Sequence, residues 1–363
     1  MFIAAVIILV IISSIYVFMR RPQFGRMPSG KELERLKTSP QYRESKFQNQ
    51  HLTPDLTNGA NYYSILRDFI FKGSKQSKPP RPLPSIKTNL LQLDPAEDVF
   101  VWFGHSSYFL QIDGRSFLVD PVLSGNASPL SFTTKSFPGS DIYTAEDFPA
   151  IDHLLVSHDH WDHLDYDTLM KLKPKIRSIV TGLGTALHLQ RWGFDPAIIH
   201  EKDWYETVDL KSGFVIHTTP ARHFSGRTFK RQQSLWLSFV LQTPSMKLFL
   251  GGDSGYDTHF SDIGNLYGPF DLAILECGQY NTSWQNIHMM PEEVVQAAED
   301  LQAKTFIPVH WSKFSLALHS WDEPIKRVVA AAQQKNVPLL HPMIGQKLLL
   351  KKDNEFEQWW LDV

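Results

Sequence analysis

Cysteine is almost absent from this sequence of 363 residues, which contains only Cys277. A lone cysteine excludes an intramolecular disulfide framework and a cysteine-based zinc finger. Charge of one sign is also not in excess, because the net charge is -2, so nothing indicates a nucleic-acid binder. With 42% hydrophobic residues the chain is not broadly disordered. Any metal site must therefore be built from the fifteen histidines and from carboxylates.

Charged side chains are missing altogether from residues 2–19. A helix of this length rises about 27 Å, roughly the thickness of a membrane's hydrocarbon core. The run ends at Arg20 and Arg21. A cleaved signal peptide has a basic segment before the apolar run and small residues at the cleavage site after it, and neither feature is present here. We therefore predict an uncleaved, single-pass anchor in the inner or plasma membrane. The basic residues after the run place the rest of the protein in the cytoplasm by the positive-inside rule.

The small net charge conceals an uneven distribution along the chain. Residues 20–94 contain 14 basic and 6 acidic residues, whereas residues 95–363 contain 22 basic and 32 acidic residues. Two interpretations of residues 20–94 stay open, a solvated linker or a basic belt that lies against anionic lipid. The predicted organisation is an anchor at 1–19, a basic extension or linker at 20–94 and one main domain at 95–363.

From Val99 onward, short apolar runs alternate with turns and later with helical patterns. The predicted strands are residues 99–103, 107–112, 117–119, 154–156, 178–181, 214–218, 235–242, 247–250, 272–275 and 305–309. The predicted helices are residues 31–37, 167–173, 184–192, 291–302 and 323–335. Asp113-Gly114 is a hairpin signal between the second and third of these strands. The first part of this order contains strands only, and the later part contains strands mixed with helices. This pattern predicts an α/β fold with two sheets covered by outer helices.

The densest group of chemically active side chains is the segment Ser157-His158-Asp159-His160-Trp161-Asp162-His163, which follows a predicted strand. In an extended segment His158 and His160 project to the same side. After a turn, Asp162 and His163 can face a second ion a few ångströms away. A clustered His-x-His-x-Asp-His is rare by chance, so the segment predicts metal binding rather than a solvated polar loop.

Three further predicted strands end in a residue type that binds metals. His223 follows the strand at 214–218, Asp253 follows the strand at 247–250, and His310 follows the strand at 305–309. A rigid strand end is a suitable support for a preorganised ligand. Each position alone is weak evidence. Together with the cluster, they supply two sets of three metal-binding side chains and one carboxylate that can bridge two metal ions.

Several longer motifs give the sequence a family resemblance. These motifs are WFGHSS (102–107), LVDPV (118–122), the histidine cluster with LDY (164–166), ARH (221–223), GDSGY (252–256), FDLA (270–273), HMMPEE (288–293) and HWSKF (310–314). The chain resembles the metallo-β-lactamase superfamily over roughly residues 22–345. Within that superfamily it is most similar to the N-acylphosphatidylethanolamine-hydrolysing phospholipase D branch.

The resemblance implies a four-layer αβ/βα sandwich with a site for two zinc ions, other divalent metals being compatible, at the edge between its sheets. The ligands implied for one zinc are His158, His160 and His223. The ligands implied for the other zinc are Asp162, His163 and His310. Asp253 is implied to bridge the two ions together with a hydroxide, which makes it catalytic as well as a ligand.

Residues around the implied metals are candidates for contact with substrate. His288 occupies a family position associated with the substrate phosphate, which predicts a catalytic or phosphate-binding role, against a plain surface histidine beside a helix. His105 either orients a metal ligand or lines the substrate pocket. Trp311 is a candidate for substrate binding, although aromatic residues are more often part of the core.

The function implied by the resemblance is hydrolysis of an N-acylated phospholipid to an N-acylethanolamine and phosphatidic acid. Phospholipid and membrane are then the expected partners, nucleic acid is not, and a homodimer is compatible with the chain. The alternative is a metal-dependent lactonase or phosphodiesterase of a soluble phosphorylated metabolite. A non-enzymatic scaffold fits poorly, because structural zinc sites are usually closed and bound by cysteine.

Overall fold

The computed structural model describes residues 2–57, 59–71 and 76–363. The strands are β1 (Tyr42–Arg43), β2 (Lys46–Phe47), β3 (Val99–Trp102), β4 (Tyr108–Ile112), β5 (Arg115–Val119), β6 (His153–Val156), β7 (Ile179–Gly182), β8 (Ile199–Lys202), β9 (Thr207–Lys211), β10 (Phe214–Thr219), β11 (Ser238–Gln242), β12 (Lys247–Leu250), β13 (Leu272–Glu276), β14 (Phe306–Val309) and β15 (Lys347–Leu349). The α-helices are α1 (Phe2–Met19), α2 (Gly30–Leu36), α3 (Tyr62–Phe71), α4 (Tyr166–Leu172), α5 (Ala186–Arg191), α6 (His259–Tyr267), α7 (Pro291–Asp300) and α8 (Glu323–Lys335).

Two mixed sheets form the centre of the molecule. One has the strand order β15-β3-β4-β5-β6-β7-β8 and the other has the order β14-β13-β12-β11-β10-β9. Strands β5 to β8 are parallel, as are β12 to β14, and the remaining pairs are antiparallel. This arrangement confirms the expected α/β class with two sheets.

Alternation along the strands explains the layers. In β3, Phe100 and Trp102 belong to the large core between the sheets, whereas Val99 and Val101 pack with residues of α4 and α5 on the opposite face. Successive side chains of a strand point to opposite faces, so a strand buried on both sides is apolar throughout. Helices α6, α7 and α8 pack with the six-stranded sheet, which completes the four-layer αβ/βα sandwich.

The strands and helices predicted from the sequence are present, with ends moved by up to three residues. Elements that were not predicted include α3, α6, β8, β9 and β15. Helix α6 contains Gly264, which weakens a helical pattern but is needed for packing. A Cβ at this position would lie 2.0 Å from the carbonyl oxygen of Asp300 in α7.

Residues 20–94 differ from the solvated linker that was one of two interpretations. Phe24, Leu36, Phe47 and Asn49 are buried, and Phe47 is part of the core between the sheets. A solvated segment would leave these side chains in water, so the linker interpretation is wrong for this part of the extension. Helix α1 carries no buried residue, has a mean hydropathy of 2.9 and is long enough to cross a membrane.

The strand directions determine where the chemistry lies. Strands β3, β5 and β6 run in one direction in the first sheet, and β10, β12, β13 and β14 share one direction in the second sheet. The segments that leave their carboxyl ends meet at one edge of the sandwich, and they carry the predicted metal ligands.

Candidate metal centre

The structure brings together all of the side chains predicted to bind metal. Two neighbouring groups of side chains have potential ligand atoms within 4.8 Å of one another. The first group contains His158, His160, His223 and Asp253. The second group contains His105, Asp162, His163 and His310. A third group, formed by Asp253, Glu276, His288 and His310, overlaps both and adds a residue that the sequence analysis missed.

The first group is a convergence of three imidazoles. His158 Nε2 lies 2.9 Å from His160 Nδ1, and His223 Nε2 lies 3.2 Å from the same nitrogen. His158 and His160 leave the end of β6, as the extended segment predicts, and His223 follows β10 in the other sheet. The group therefore joins the two halves of the sandwich, which no local pattern in the sequence could show.

Asp253 lies between the two groups. Its Oδ2 is 3.2 Å from His163 Nε2 and 3.7 Å from His223 Nε2, and its Oδ1 is 3.1 Å from His310 Nδ1. Asp162 Oδ2 lies 3.7 Å from His163 Nε2. A carboxylate in this position can serve ligand groups on both sides, as expected for a bridging residue.

The ionisation of most of these residues fits a cation. His163 differs, because burial would lower its pKa but neighbouring Asp253 and Asp162 raise it well above the usual value. Burial lowers the pKa of His158, His223 and His310 well below the usual range, so that they are neutral, the form of histidine that binds metals. Burial would raise the pKa of Asp253, but neighbouring His163 outweighs it and lowers that pKa to about 2. Among the described residues, His163 Nε2 and Asp253 Oδ1 are buried, and the polar atoms 3.2 Å and 3.1 Å away from them do not have the geometry of a hydrogen bond. Orphaned buried atoms of this kind match a site for divalent metal.

A set of hydrogen bonds orients the candidate ligands. Asp120 accepts from the Nδ1 of His163 at 2.8 Å and from the backbone amide of Ser157 at 2.8 Å. His105 donates from Nε2 to Asp162 Oδ2 at 2.8 Å, and His223 donates from Nδ1 to a backbone carbonyl. Such outer partners determine ring orientation and ligand basicity in metal sites. Asp120 and His105 both adopt positive φ angles, 42° and 52°, a strained conformation that is common near functional sites.

The close approach of the two sheets depends on a glycine. A Cβ at Gly252 would lie 2.8 Å from the Cβ of Ser157 and 2.9 Å from the carbonyl oxygen of Leu237. Gly252 immediately precedes Asp253, and Ser157 immediately precedes His158. Without a side chain at this position, the candidate bridging carboxylate can reach the histidines of the other sheet.

Glu276 and His288 form a buried pair beside the metal cluster. Glu276 Oε2 accepts from His288 Nδ1 at 2.9 Å, and Oε1 accepts from the backbone amides of Ser254 and Met289. Burial would lower the pKa of His288, but the neighbouring carboxylate outweighs it and raises that pKa. Glu276 has the same signal as Asp253 and His310, a ligand-type residue that closes an apolar strand, and this signal could have identified it.

A cavity of about 320 Å³ opens beside the metal cluster. Its inner wall contains His160, Asp162, His223, Asp253, His288 and His310. Its outer wall is largely apolar and is formed by Leu56, Tyr62, Ile65, Phe224, Trp284, Ile287 and Leu316. Arg231 also lines the cavity, with its guanidinium 3.9 Å from the ring centroid of Phe224 and paired with Asp55 at 2.9 Å. The site thus combines an apolar wall with a cation near the metal ligands.

The structure corrects two predictions about substrate contact. Trp311 is 2% exposed and packs against Trp102 and Trp359, because its strand-end position turns it into the core behind the site. His105 is fully buried and hydrogen-bonded to Asp162, so it orients a candidate ligand and does not line the cavity. His288, in contrast, lines the cavity, and its catalytic or phosphate-binding role stays a prediction.

The model of a protein family described as "Beta-lactamase superfamily domain" matches residues 115–311, which is more than half of the chain. These residues include every candidate metal ligand. The chain belongs to this superfamily. The superfamily assignment confirms the expected resemblance and the fold that it implied.

Individual relatives of the superfamily add detail. An uncharacterized protein of Mycobacterium tuberculosis is 36% identical over 326 residues, which covers 89% of this chain and 87% of the relative. The N-acyl-phosphatidylethanolamine-hydrolyzing phospholipase D 1 of Caenorhabditis elegans is 31% identical over 227 residues, covering 59% of this chain and 64% of that enzyme. The chain thus aligns with under two thirds of that phospholipase.

The solved structure of Igni18, a metallo hydrolase from Ignicoccus hospitalis, has a TM-score of 0.56 and is 19% identical. The match covers 72% of this chain and 100% of the Igni18 chain, which supports the fold described above. The superfamily assignment and the clustered His and Asp side chains together make this protein a metal-dependent hydrolase.

Proposed function

We propose that the protein is a membrane-anchored phosphodiesterase of the phospholipase D type, which uses two zinc ions. Its substrate would be a phospholipid of the N-acylphosphatidylethanolamine class, and its products an N-acylethanolamine and phosphatidic acid. The observation that carries the proposal is the pair of donor groups with Asp253 between them, at the wall of a cavity with an apolar outer side. The phospholipase named among the relatives supports the same substrate class.

The proposed ligands are assigned from the two groups described above. One ion would be held by His158, His160 and His223. The other would be held by Asp162, His163 and His310. Asp253 would be shared between the ions. Two divalent ions there would supply positive charge for phosphoryl oxygens and lower the pKa of water, which are the contributions such sites make to phosphodiester hydrolysis.

The protein's own residues would bind and orient the diester. His288, held by Glu276 through Nδ1, has Nε2 free to donate a hydrogen bond to a phosphoryl oxygen at the cavity wall. Arg231 would contact the same anion, since a guanidinium is well suited to phosphate. The apolar outer wall, which includes Trp284 and Ile287, would exclude water and contact an acyl chain.

The membrane part of the proposal depends on α1. Its eighteen residues are uncharged and predominantly apolar, none is buried, and Arg20 and Arg21 follow directly. We propose that α1 crosses the inner or plasma membrane once, with the catalytic domain in the cytoplasm. A reporter enzyme fused at Val363 tests the orientation. A reporter that is active only outside the cytoplasm would contradict this placement.

The decisive assay uses the purified full chain loaded with zinc and N-acylphosphatidylethanolamine in mixed micelles. Because water would attack phosphorus, the reaction in ¹⁸O-labelled water should place the label in phosphatidic acid and not in the N-acylethanolamine. The same preparation is tested on a soluble lactone and a soluble phosphodiester. Turnover of either soluble compound without turnover of the lipid would contradict the proposal in favour of a soluble-metabolite hydrolase.

A further inference from the structure

Helix α3 exposes an unusual amount of apolar surface. None of its residues is buried, and its sequence YYSILRDFIF has only three polar residues, Ser64, Arg67 and Asp68. Its outward side chains are strongly exposed, with Tyr63 at 77%, Leu66 at 59%, Ile70 at 63% and Phe71 at 80%. Spacing of three and four residues places Tyr63, Leu66 and Ile70 on one face. Contiguous apolar patches of this kind usually mark an interaction surface.

The neighbouring face of α3, one residue round the helix, belongs to the rim of the cavity. Tyr62 and Ile65 line the cavity itself. Phe69 stacks on Trp284, another cavity residue, with 6.3 Å between ring centroids. Tyr62 also donates a hydrogen bond to Asp55, which is the partner of Arg231 on the same rim. Helix α3 therefore lies along the mouth of the candidate active site, with one apolar face on the cavity rim and the adjacent apolar face exposed to solvent.

The end of α1 lies beside the metal-binding loop. Phe18, in its last turn, packs against Phe24, and Phe24 packs against Trp161, with 5.2 Å between ring centroids in both contacts. Trp161 lies in the chain between His160 and Asp162. The exposed side chains of Leu130 and Phe132 border a groove that also contains Phe18 and Trp161. A bilayer that holds α1 would thus lie close to the metal-binding loop.

We propose that the outward face of α3 is a membrane-docking surface that inserts into the interfacial region of the bilayer holding α1. This inference rests on the proposed function, because it presumes that α1 is embedded. The bilayer would then contact the protein at two places, the end of α1 and helix α3, with the mouth of the cavity between them. A phospholipid could pass from the membrane past Tyr62 and Ile65 to the metal centre without crossing bulk water.

The composition of α3 favours a bilayer over a second copy of the chain as its occupant. Interfacial helices bury aromatic and aliphatic side chains to about 5–10 Å in the boundary between headgroups and acyl chains. The tyrosines at the start of α3 suit this boundary, since their rings are apolar and their hydroxyls are polar. Arg67 is paired with Asp68 at 2.9 Å, so the two charged residues of the helix compensate each other. The nearby end of α1 supplies a reason for a bilayer to be present.

A depth measurement on the full chain tests the insertion. Cys277 is the only cysteine and is buried, so a cysteine introduced by Ile70→Cys can be labelled selectively with a fluorophore. The labelled protein is reconstituted in nanodiscs of phosphatidylcholine and phosphatidylglycerol that contain brominated acyl chains. A matched label at Gln334→Cys, exposed near the end of α8 that lies away from the site, is the control. We expect strong quenching at position 70 and little at position 334.

Activity measurements add a second readout. Leu66→Asp and Ile70→Asp should raise the apparent KM for lipid presented in a bilayer at least tenfold. Hydrolysis of soluble bis(4-nitrophenyl) phosphate by the same variants should not change, because neither side chain lines the cavity. Gln334→Asp is the matched control and should leave both activities unchanged. An equal loss with both substrates would overturn the docking role.

Equal quenching at positions 70 and 334 would also overturn the proposal. The proposal would also be overturned if, in detergent, the label at position 70 became shielded from solvent to the extent that the protein forms dimers. The partner of this face would then be a second copy of the chain. Quenching at position 70 in a protein that does not hydrolyse N-acylated phospholipid would leave the docking surface standing and reject the proposed substrate. The two proposals therefore fail in distinguishable ways.

Discussion

The metal-binding loops and the N-terminal cover of the site, defined as residues 20–71, contact each other but have opposite character. The loops present charged and ligand-type residues at the ends of buried strands, and their positions are set by the two sheets. The cover consists of the short elements α2, β1, β2 and α3 joined by loops, and it reaches the site through individual side chains such as Asn49 and Tyr62. A metal centre needs preorganised donors, whereas the cover needs only enough contacts to support and shape the mouth.

Asn49 shows how closely the two regions are joined. Its Nδ2 donates to the carbonyl oxygen of His223, and its Oδ1 accepts from the amide of His223 and from Trp236 Nε1. A residue of the extension thus satisfies both backbone groups of a candidate metal ligand. The basic stretch that resembled a linker is in this part a layer of the catalytic domain. Breaking each region separately should therefore have different consequences.

The largest effect is expected in the loops, from Asp253→Asn. An amide removes the negative charge shared by the two donor groups, so zinc content should fall and hydrolysis should drop by about a thousandfold or more. Zinc is measured by mass spectrometry and activity with a soluble phosphodiester. Asp262→Asn, an exposed position in α6, is the control. Retention of full activity by Asp253→Asn would refute a dinuclear site centred on this residue.

Glu276→Gln should have a smaller effect, which separates the binding of metal from the orientation of His288. Glutamine keeps the shape of the side chain but weakens the interaction with His288, so kcat should fall about tenfold to a hundredfold, the usual range for an outer partner. Two bound zinc ions should remain, because Glu276 is not one of the proposed ligands. Glu292→Gln on the surface of α7 is the matched control. Loss of zinc from Glu276→Gln would instead identify Glu276 as a ligand.

The metal-binding loops and the N-terminal cover also differ in how well their residues can be predicted from the sequence. His158, His160, Asp162 and His163 lie within six consecutive residues, so a linear pattern is enough to identify them. His223, Asp253 and His310 required the rule that apolar strands end in ligands, together with the family resemblance. Glu276 obeys the same rule and could have been found. The roles of Asn49 and Tyr62 could not, since they arise from contacts across more than a hundred residues of chain.

The fold shows a similar limit. Strongly apolar runs such as β3 and β12 were predicted closely, because burial on both faces leaves a continuous signal. Strands β8 and β9 contain charged residues and are only partly buried, so their local patterns are weak. Trp311 was misassigned because an aromatic residue beside a metal ligand can face either the cavity or the core. Only the packing of Trp102 and Trp359 around it decides between these.

Asn49→Ala tests whether the cover stabilises the domain. Removing the side chain leaves buried groups of His223 unsatisfied, which typically costs about 1–3 kcal/mol. We expect the free energy of unfolding to fall by about that amount and Tm by several degrees, measured by thermal denaturation of the zinc-loaded protein. Gln50→Ala changes an exposed neighbour and should alter Tm little. Equal Tm values for the two variants would restore the linker interpretation.

The smallest effect is expected at Arg231, where cover and loops meet in an ion pair with Asp55. Arg231→Gln removes a cation from the cavity wall and should raise KM for a soluble anionic phosphodiester by about tenfold, equivalent to roughly 1.4 kcal/mol, with kcat nearly unchanged. Asp55→Asn is the matched variant, because it frees Arg231 for the substrate and should lower KM or leave it unchanged. If both substitutions raise KM alike, the ion pair supports the rim and Arg231 does not bind the phosphate.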